Sequence, residues 1–428
     1  MVPTPTQNLP IADVIDDLRL ALDDSDSVVL EAPPGAGKTT VVPLALLDEQ
    51  WLAGRKILVL EPRRMAARAA AARMAQLLGE NPGSTVGYRI RLDTCVSDAT
   101  RIEVITEGIL ARRLQSDPAL HDVGLVIFDE FHERSLDSDL GLALTLQGRE
   151  LFREQGPLKV LVMSATLDGD AVSGLLDDAP LLRSEGRQYP VDVHYGSAYQ
   201  VRDPIVPPVV KTVHRALKET EGSVLVFLPG QSEINRVGRE LSARLADTEL
   251  SDVELVPLYG GLSLDQQQRA IRPAPPGRRK VVLATNIAET SLTIEGINTV
   301  VDSGLVREPV FDAATGMTRL TTRRLSRSSA EQRAGRAGRL GPGTCYRLWS
   351  EEQHKRLVSH STPEILQADL APLALQLLAW GVDDPTQMRW LDVPPSGPFT
   401  QAVAALEACG AAFQGTSGQW QLTPHGVR

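Results

Sequence analysis

Short apolar runs, each followed by polar residues, recur through the first part of the chain. They occupy positions 28–30, 56–60, 101–105, 124–128 and 158–163. The stretches between them, such as the alanine-rich 65–78, have helical spacing. Apolar strands separated by helices predict a parallel sheet with helices on both faces. The polar residues that end these strands are expected to meet at one edge, where such sheets bind ligands.

A second series of apolar runs begins at about residue 186. Its members are 223–228, 254–258, 280–284, 298–301 and 344–348. The predicted fold class is therefore α/β, with two tandem domains of similar organisation. Between the last two runs, two β-prone stretches within 306–326 flank a glycine turn and predict a β-hairpin with a basic return strand. This hairpin is either a solvated element or one that faces a nucleic-acid strand.

The C-terminal part of the chain predicts a small helical domain of winged-helix size. Helical runs cover 370–378 and 399–409, and 419–424 has the composition of a wing strand. The predicted domain boundaries are 1–185, 186–352 and 353–428.

Composition restricts the classes of function. The three cysteines (Cys95, Cys345 and Cys409) lie far apart, which argues against a disulfide framework or a cysteine-rich zinc site and fits a reducing cytoplasm. The chain has no apolar run of membrane-spanning length, and its first ten residues lack the features of a signal peptide. A net charge of -10 argues against binding nucleic acid by bulk attraction, but it leaves room for a groove lined by backbone donors and a few arginines.

The segment EAPPGAGKTT at 31–40 follows the first apolar run and precedes a helical stretch. A strand, a glycine-rich turn ending in Gly-Lys-Thr and a helix form a phosphate-binding loop, because backbone N–H groups and the helix N-terminus point at phosphate oxygens. The expected nucleotide contacts are Pro34, Gly35, Ala36, Gly37, Lys38, Thr39 and Thr40. Lys38 would neutralise the terminal phosphates, and the Thr39 hydroxyl would bind Mg²⁺. Ala32 replaces the usual first glycine, which requires a negative φ there.

Asp129 and Glu130 follow the fourth apolar run. A carboxylate that ends a strand beside a phosphate loop can hold magnesium, and its neighbour can orient or deprotonate the attacking water. The alternative is a pair that only caps the next helix. We favour the catalytic interpretation because the pair follows the phosphate loop on a strand of its own.

The run QRAGRAGR at 332–339 predicts a contribution from the second domain. On a helix, Gln332, Arg336 and Arg339 would share one face, with small residues between them. Such a face suits close approach to a polyphosphate, and an arginine there can act as an arginine finger. The alternative is a solvated basic face.

The order of these motifs resembles the DEAH/RHA group of superfamily 2 helicases. The resemblance rests on 32–39, EPRR at 61–64, TEG at 106–108, DEFH at 129–132, SAT at 164–166, TNIAETSLT at 285–293 and QRAGRAGR at 332–339. It implies two RecA-like domains and a winged helix. It also implies hydrolysis of ATP or other NTPs with Mg²⁺, coupled to 3′-to-5′ movement along single-stranded RNA and duplex unwinding.

The resemblance also assigns roles to individual residues. Glu130, Gln332, Arg336, Arg339 and Lys38 would be catalytic; Thr39, Asp129 and Glu130 would serve the metal; and Arg73, Asp129 and His132 would belong to the nucleotide site. Ser164, Ala165 and Thr166 would couple hydrolysis to domain movement. The RNA backbone would contact Arg63, Arg64, Thr106, Gly230, Thr285 and Asn286, and the hairpin near Gly316 would separate strands.

Two departures from the group's pattern change the expectations. Relatives clamp the base between an arginine, matched by Arg73, and a phenylalanine, whereas this chain has Ala270 and Ile271 in that segment. We therefore expect weak selectivity among NTPs. Relatives also continue past the winged helix. The alternatives to an RNA helicase are a nucleic-acid-binding NTPase uncoupled from unwinding and a DNA-directed translocase.

Overall fold

The computed structural model describes residues 9–154, 156–165, 169–186, 189–246, 248–250, 253–290, 294–312 and 315–427. Thr166, Ser291, Leu292 and Thr293 of the motifs above lie outside these ranges. The chain divides into two compact units. The first comprises Met1–Gly186, Phe311–Thr318 and Thr362–Arg428, and the second comprises Arg187–Val310 and Arg319–Ser361. In the described part of the chain, no helix has both the length and the apolar character needed to cross a membrane.

The first unit contains an eight-stranded sheet. Its strands are β1 (Ser27–Glu31), β2 (Lys56–Glu61), β3 (Val86–Ile90), β4 (Asp93–Cys95), β5 (Ile102–Thr106), β6 (Val123–Phe128), β7 (Lys159–Ser164) and β8 (Leu181–Arg183). Their spatial order is β4-β3-β5-β2-β6-β7-β1-β8, and all pairs are parallel except β3 with β4. The five strands predicted from the apolar runs are confirmed, and three short strands at or near the edges are additional.

Helices cover both faces of this sheet, as predicted. They are α1 (Ile15–Asp24), α2 (Lys38–Ala45), α3 (Arg64–Leu77), α4 (Glu107–Ser116), α5 (Leu136–Phe152) and α6 (Gly169–Leu175). Alternate residues of β1 enter different cores: Val28 and Leu30 pack with α1, α2 and α3, whereas Val29 packs with α4 and α5. This alternation follows from the two-residue period of a strand.

The C-terminal segment packs against the first sheet's helices. It contains α12 (Ala371–Trp380), α13 (Ser396–Ala408) and a two-stranded antiparallel sheet of β17 (Ala412–Gln414) and β18 (Trp420–Leu422). Its apolar residues, including Leu373 and Leu377, belong to the same buried cluster as Leu110 and Leu114 of α4. The two helices and the terminal strand match the predicted elements, while a separate winged-helix domain at 353–428 stays a prediction.

The second unit contains a six-stranded parallel sheet in the order β11-β12-β10-β13-β16-β9. Its strands are β9 (Val191–Tyr195), β10 (Ser223–Phe227), β11 (Glu254–Leu258), β12 (Lys280–Ala284), β13 (Ile297–Asp302) and β16 (Gly343–Arg347). Its helices are α7 (Val206–Glu219), α8 (Gln231–Leu245), α9 (Leu264–Ile271), α10 (Arg327–Gly335) and α11 (Glu351–Lys355). The five predicted strands are confirmed, and β9 at one edge is additional.

The predicted hairpin is present as a two-stranded sheet of β14 (Leu305–Asp312) and β15 (Met317–Arg324). Gly316 has φ +64°, a conformation that glycine adopts without steric cost. Arg319 and Arg323 are exposed, and Arg324 lies over the Tyr199 ring, 4.0 Å from its centroid. The return strand is therefore basic, as the sequence predicted.

Candidate nucleotide-binding and catalytic site

The glycine-rich loop connects β1 to α2 at the carboxyl edge of the first sheet. Gly35 and Gly37 have φ values of +86° and +95°, and Gly37 is the N-cap of α2, so Lys38 is its first residue. Ala32 does not have a positive φ, which agrees with the restriction that its side chain imposes on the backbone. The Ala32 N–H donates to the Ser164 carbonyl at 2.9 Å, which fixes the start of the loop to the end of β7. This is the geometry of a phosphate-binding loop.

The loop brings Lys38 and Thr39 to the two carboxylates predicted to accompany them. Lys38 Nζ lies 3.2 Å from Glu130 Oε1 and 3.9 Å from Asp129 Oδ1, and the Thr39 hydroxyl donates to Asp129 Oδ2. Lys38, Asp129 and Glu130 are all at least 94% buried. Burial alone would lower the pKa of Lys38, but the carboxylates of Glu130 and Asp129 outweigh it and raise that pKa.

Glu61 is a third buried carboxylate at this edge, and the sequence analysis assigned it no role. It ends β2 beside Asp129, is 1% exposed, and its Oε2 has no hydrogen-bond partner among the described residues. Burial, followed by the charges of Asp129 and Glu130, raises the pKa of Glu61 well above its usual value. Burial likewise raises the pKa of Asp129 to about 6. The three carboxylates thus disfavour one another's ionisation, and a bound cation would favour their charged forms.

His132 connects the catalytic carboxylate to the segment predicted to couple hydrolysis to movement. Its Nδ1 accepts a hydrogen bond from the Ala165 N–H at 3.3 Å. An imidazole nitrogen that accepts carries no proton, so the proton of the neutral ring lies on Nε2, which faces Glu130 Oε2 at 3.4 Å. His132 therefore contacts both the DEFH and the SAT segments. Thr166, the last residue of the latter, lies outside the described residues.

The backbone that carries Glu130 and His132 is a short strained turn. A 3₁₀ helix spans Phe131–Glu133, and the residues on either side, Glu130 and Arg134, have φ values of +51° and +50°. Residues other than glycine rarely adopt such φ values, and these conformations persist only where the surrounding structure fixes them. Phe131 anchors the turn in the core, where its ring meets that of Phe128 edge-on with centroids 6.2 Å apart.

The arginine-rich run of the second unit does not form one long helix, so the prediction that Gln332, Arg336 and Arg339 share a helix face is wrong. Helix α10 ends at Gly335, and the chain continues in 3₁₀-type turns, with the N–H of Arg336, Ala337 and Gly338 each donating to the carbonyl three residues back. Glycines at 335, 338 and 341 disfavour a continuing α-helix. Gln332 is thus on the helix, Arg336 caps it, and Arg339 lies beyond it.

Glu289 organises this run from the neighbouring TNIAETSLT segment, a role the sequence analysis missed. Its Oε2 accepts from Arg333 Nε at 2.8 Å, its Oε1 accepts from Ser329 Oγ at 2.5 Å, and its carbonyl accepts from Arg336 Nε at 2.8 Å. Arg333 is 1% exposed and also donates to Asp302 Oδ1 at 2.9 Å. The Arg336 side chain is therefore bound by the main-chain carbonyl of Glu289, whereas Arg333 forms buried ion pairs with Glu289 and Asp302.

The residues predicted to contact RNA lie at the carboxyl ends of strands in both units. In the first unit, Thr106 ends β5 and is the N-cap of α4, while Arg63 precedes α3 and its Nη2 lies 3.2 Å from Glu133 Oε2. Arg64, the first residue of α3, is exposed. Arg73, which was predicted to clamp the base in the nucleotide site rather than to bind RNA, lies on the exposed face of the same helix, and its Nη1 donates to Gln76 Oε1 at 2.8 Å.

In the second unit, Gly230 is the N-cap of α8, and Thr285 and Asn286 follow β12. Because β10 and β12 are parallel neighbours, these residues share the carboxyl edge of the second sheet. A Cβ at position 230 would lie 2.3 Å from Arg307 Nη1, so a larger residue there would displace the end of the Arg307 side chain. The roles in RNA binding stay predictions for all of these residues.

Two family models match the chain in the order of its two sheets. Residues 12–174 match "DEAD/DEAH box helicase" and residues 208–341 match "Helicase conserved C-terminal domain". Together with the phosphate loop, the DEFH carboxylates and the two parallel sheets, these matches define a class. The chain belongs to the DEAD/DEAH box helicases and has two tandem RecA-like domains.

Within that family, the chain is similar to HrpB of Escherichia coli. It is 53% identical over 406 residues to the protein named ATP-dependent RNA helicase HrpB from strain K12. The aligned region covers 94% of this chain and 49% of the relative. Two crystal structures, of the E. coli DEAH/RHA helicase HrpB and of the E. coli DExH-box NTPase HrpB, match with TM-scores of 0.89 and 0.84. Both are 50% identical and cover 98% of this chain but only 52% and 50% of their own. The chain thus spans about half the length of these relatives.

Proposed function

We propose that the chain hydrolyses ATP and couples hydrolysis to 3′-to-5′ movement along single-stranded RNA and to duplex unwinding. The observation that carries this proposal is the buried cluster of Lys38, Asp129 and Glu130 beside a phosphate-binding loop. The name of the E. coli relative, an ATP-dependent RNA helicase, supports both the nucleotide and the nucleic acid.

The residues of the first unit divide the chemistry among themselves in this proposal. Loop N–H groups and Lys38 bind the phosphates, and Glu130 orients the attacking water and receives its proton. His132 holds Glu130 on one side and contacts Ala165 on the other, so a change at the γ-phosphate reaches the SAT segment. Gln332, Arg336 and Arg339 would face the transferring phosphoryl group, where the two arginines would neutralise its charge.

The donor set fits magnesium. Hard carboxylate and hydroxyl oxygens are the ligands that Mg²⁺ prefers, and a cation beside Asp129 and Glu130 would favour the ionised form of these carboxylates. Thr39 and Asp129 would hold the ion, with Glu130 close by. The ion would supply charge neutralisation at the phosphate oxygens.

Steady-state ATP hydrolysis, with and without single-stranded RNA, tests the proposal. Glu130→Gln keeps the side-chain shape but removes the base, so it is the matched inactive control. We expect hydrolysis that RNA stimulates and that Glu130→Gln reduces by at least about 100-fold. Absence of hydrolysis in the unmodified chain would overturn the enzyme assignment.

Two further assays separate the alternatives. Unwinding of a duplex with a 3′ single-stranded tail distinguishes a helicase from an NTPase that is uncoupled from unwinding. Competition between RNA and DNA of the same sequence at fixed salt distinguishes an RNA-directed from a DNA-directed enzyme, because phosphate contacts make both affinities depend on salt.

A further inference from the structure

The strained turn that carries Glu130 and His132 ends at Arg134, whose side chain is only 11% exposed. Arg134 Nε and Nη2 donate to the two carboxylate oxygens of Asp139 at 3.1 and 3.0 Å. The same Nη2 donates to Asp392 Oδ2 at 2.7 Å. Asp139 lies on α5, next to the turn, but Asp392 belongs to the C-terminal segment. One arginine therefore joins the end of the catalytic turn to residues more than 250 positions later in the chain.

A second residue of the C-terminal segment holds the main chain of the same turn. The Glu364 N–H donates to the Arg134 carbonyl at 3.1 Å, and Glu364 Oε2 accepts from the Leu136 N–H at 2.8 Å. The chain from 134 to 136 is thus held by Glu364 through two hydrogen bonds and by Asp392 through the Arg134 side chain. Each of these contacts lies within the first unit.

Hydrogen bonds within the turn connect the backbone of Arg134 to that of Glu130. The Arg134 N–H donates to the Phe131 carbonyl at 3.1 Å, and the Glu133 N–H donates to the Glu130 carbonyl at 2.9 Å. Glu130 and Arg134 both have positive φ. Such a conformation is strained in a residue other than glycine and persists only where surrounding contacts fix it. Contacts at the exit of the turn therefore help to determine the direction of the Glu130 side chain.

We propose that Asp392 and Glu364 are positioning residues for nucleotide hydrolysis: by fixing Arg134, they hold the turn 130–133 in the conformation that directs Glu130 and His132. This inference rests on the proposed hydrolysis and adds to it a role for the C-terminal segment in the chemical step. Neither residue contacts the Lys38 cluster in the described structure, so the effect passes through the turn rather than through direct contact with the nucleotide.

The test compares Asp392→Asn with Arg389→Gln in the full chain. Both substitutions remove a charged contact between the C-terminal segment and the rest of the first unit. Arg389 Nη1 lies 2.6 Å from Asp177 Oδ2, in the loop after α6, and does not touch the turn. For Asp392→Asn we expect RNA-independent kcat to fall about 5- to 30-fold, with KM for ATP within about twofold of the unmodified value, because misplacing a catalytic group slows the chemistry more than it weakens binding. Arg389→Gln should leave both constants unchanged.

Thermal unfolding of the same two variants separates positioning from general stability. Comparable melting temperatures with a loss of kcat only in Asp392→Asn would support the proposal. Equal kcat values in the two variants, or a loss of kcat that follows the melting temperature in both, would overturn it. If Asp392→Asn does not fold, Glu364→Ala, which removes the acceptor of the Leu136 N–H, is judged by the same split between kcat and KM. An unmodified chain without hydrolysis would instead refute the proposed function.

Discussion

Glu107, the first residue of α4, is a carboxyl group whose charge depends on burial. It is 9% exposed, and Ser135 Oγ donates to its Oε2 at 2.7 Å. Burial raises the pKa of Glu107 from 4.5 to about 8, which outweighs the opposite effect of the Ser135 hydrogen bond. Below the unfolded pKa the residue is protonated in both states. Between the two values the folded chain retains a proton that the unfolded chain releases, so Glu107 makes the protein less stable as the pH rises through this window.

Glu107→Gln should abolish this part of the pH dependence. Glutamine has the shape of the protonated acid and its oxygen can accept the same hydrogen bond from Ser135. We expect the melting temperatures of the variant and the unmodified chain to be similar at about pH 5, with the variant increasingly the more stable toward about pH 8.5. A difference that does not change between these two pH values would show that Glu107 has an ordinary pKa.

Ile271 leads to a second prediction at the residue scale. The segment in which the resemblance leads one to expect a base-stacking phenylalanine ends α9 with Ala270, which is fully buried, and Ile271, which is half-buried. An aliphatic side chain lacks the stacking energy that an aromatic ring gives to a base. We expect kcat/KM for ATP, GTP, CTP and UTP to agree within about tenfold. Ile271→Phe should increase the preference for purines, and a strong ATP preference in the unmodified chain would contradict the argument.

The candidate site was predictable where a short motif carries the chemistry. The sequence predicted that Lys38, Thr39, Asp129 and Glu130 would lie together, because a glycine-rich turn and an acidic pair each follow a strand of the same parallel sheet. Glu61 and Glu289 were not assigned roles, because their functions depend on partners far along the chain. The available signal for Glu61 was its position at the end of a strand, where polar residues of a parallel sheet converge.

At the scale of elements, the attachment of α10 to its sheet depends on a buried ion-pair network. Arg333 joins Glu289 and Asp302, and its guanidinium lies 4.8 Å from the centroid of the Phe227 ring. Burial raises the pKa of the Asp302 carboxyl, while Arg333 opposes this shift, so the arginine keeps an otherwise costly charge in the core.

Arg333→Met should lower the free energy of unfolding by about 3–5 kcal/mol, because it leaves two buried carboxylates without their cation. The measurement is chemical denaturation of the nucleotide-free protein. Arg215→Met, which removes an exposed partner of Glu219 on α7, is the matched control and should change the denaturation midpoint far less. Equal shifts in the two variants would argue against the network.

The elements themselves were predictable in proportion to their apolar content. All ten apolar runs became strands, and all but β11 lie in the interior of their sheets, since a strand covered on both faces is apolar throughout. Strands β3, β4, β8 and β9 were missed: β4 and β8 have only three residues each, and β3 and β9 are more polar, as in the sequence YRI at the end of β3. The end of α10 was missed because the spacing of the arginines suggested a helix, while the intervening glycines stop one.

At the scale of the whole molecule, the C-terminal segment completes a core that begins more than 250 residues earlier. Leu373, Leu377 and Phe399 belong to the buried cluster that includes Leu110 and Leu144 of α4 and α5. A chain ending at residue 361 would expose this apolar surface. We expect such a truncated chain to bind more of a hydrophobic dye and to aggregate at concentrations where the full chain remains dispersed. A truncated chain that behaves like the full one would contradict this prediction.

This arrangement has a consequence for biosynthesis. The first unit is interrupted by the second, and one of its two cores includes residues from both sides of the interruption. A ribosome therefore releases the phosphate loop and the first sheet long before the residues that cover α4 and α5. During that interval the second unit can fold completely, while the first must wait with one face uncovered. We therefore expect the second unit, although it is made later than most of the first, to complete its fold first.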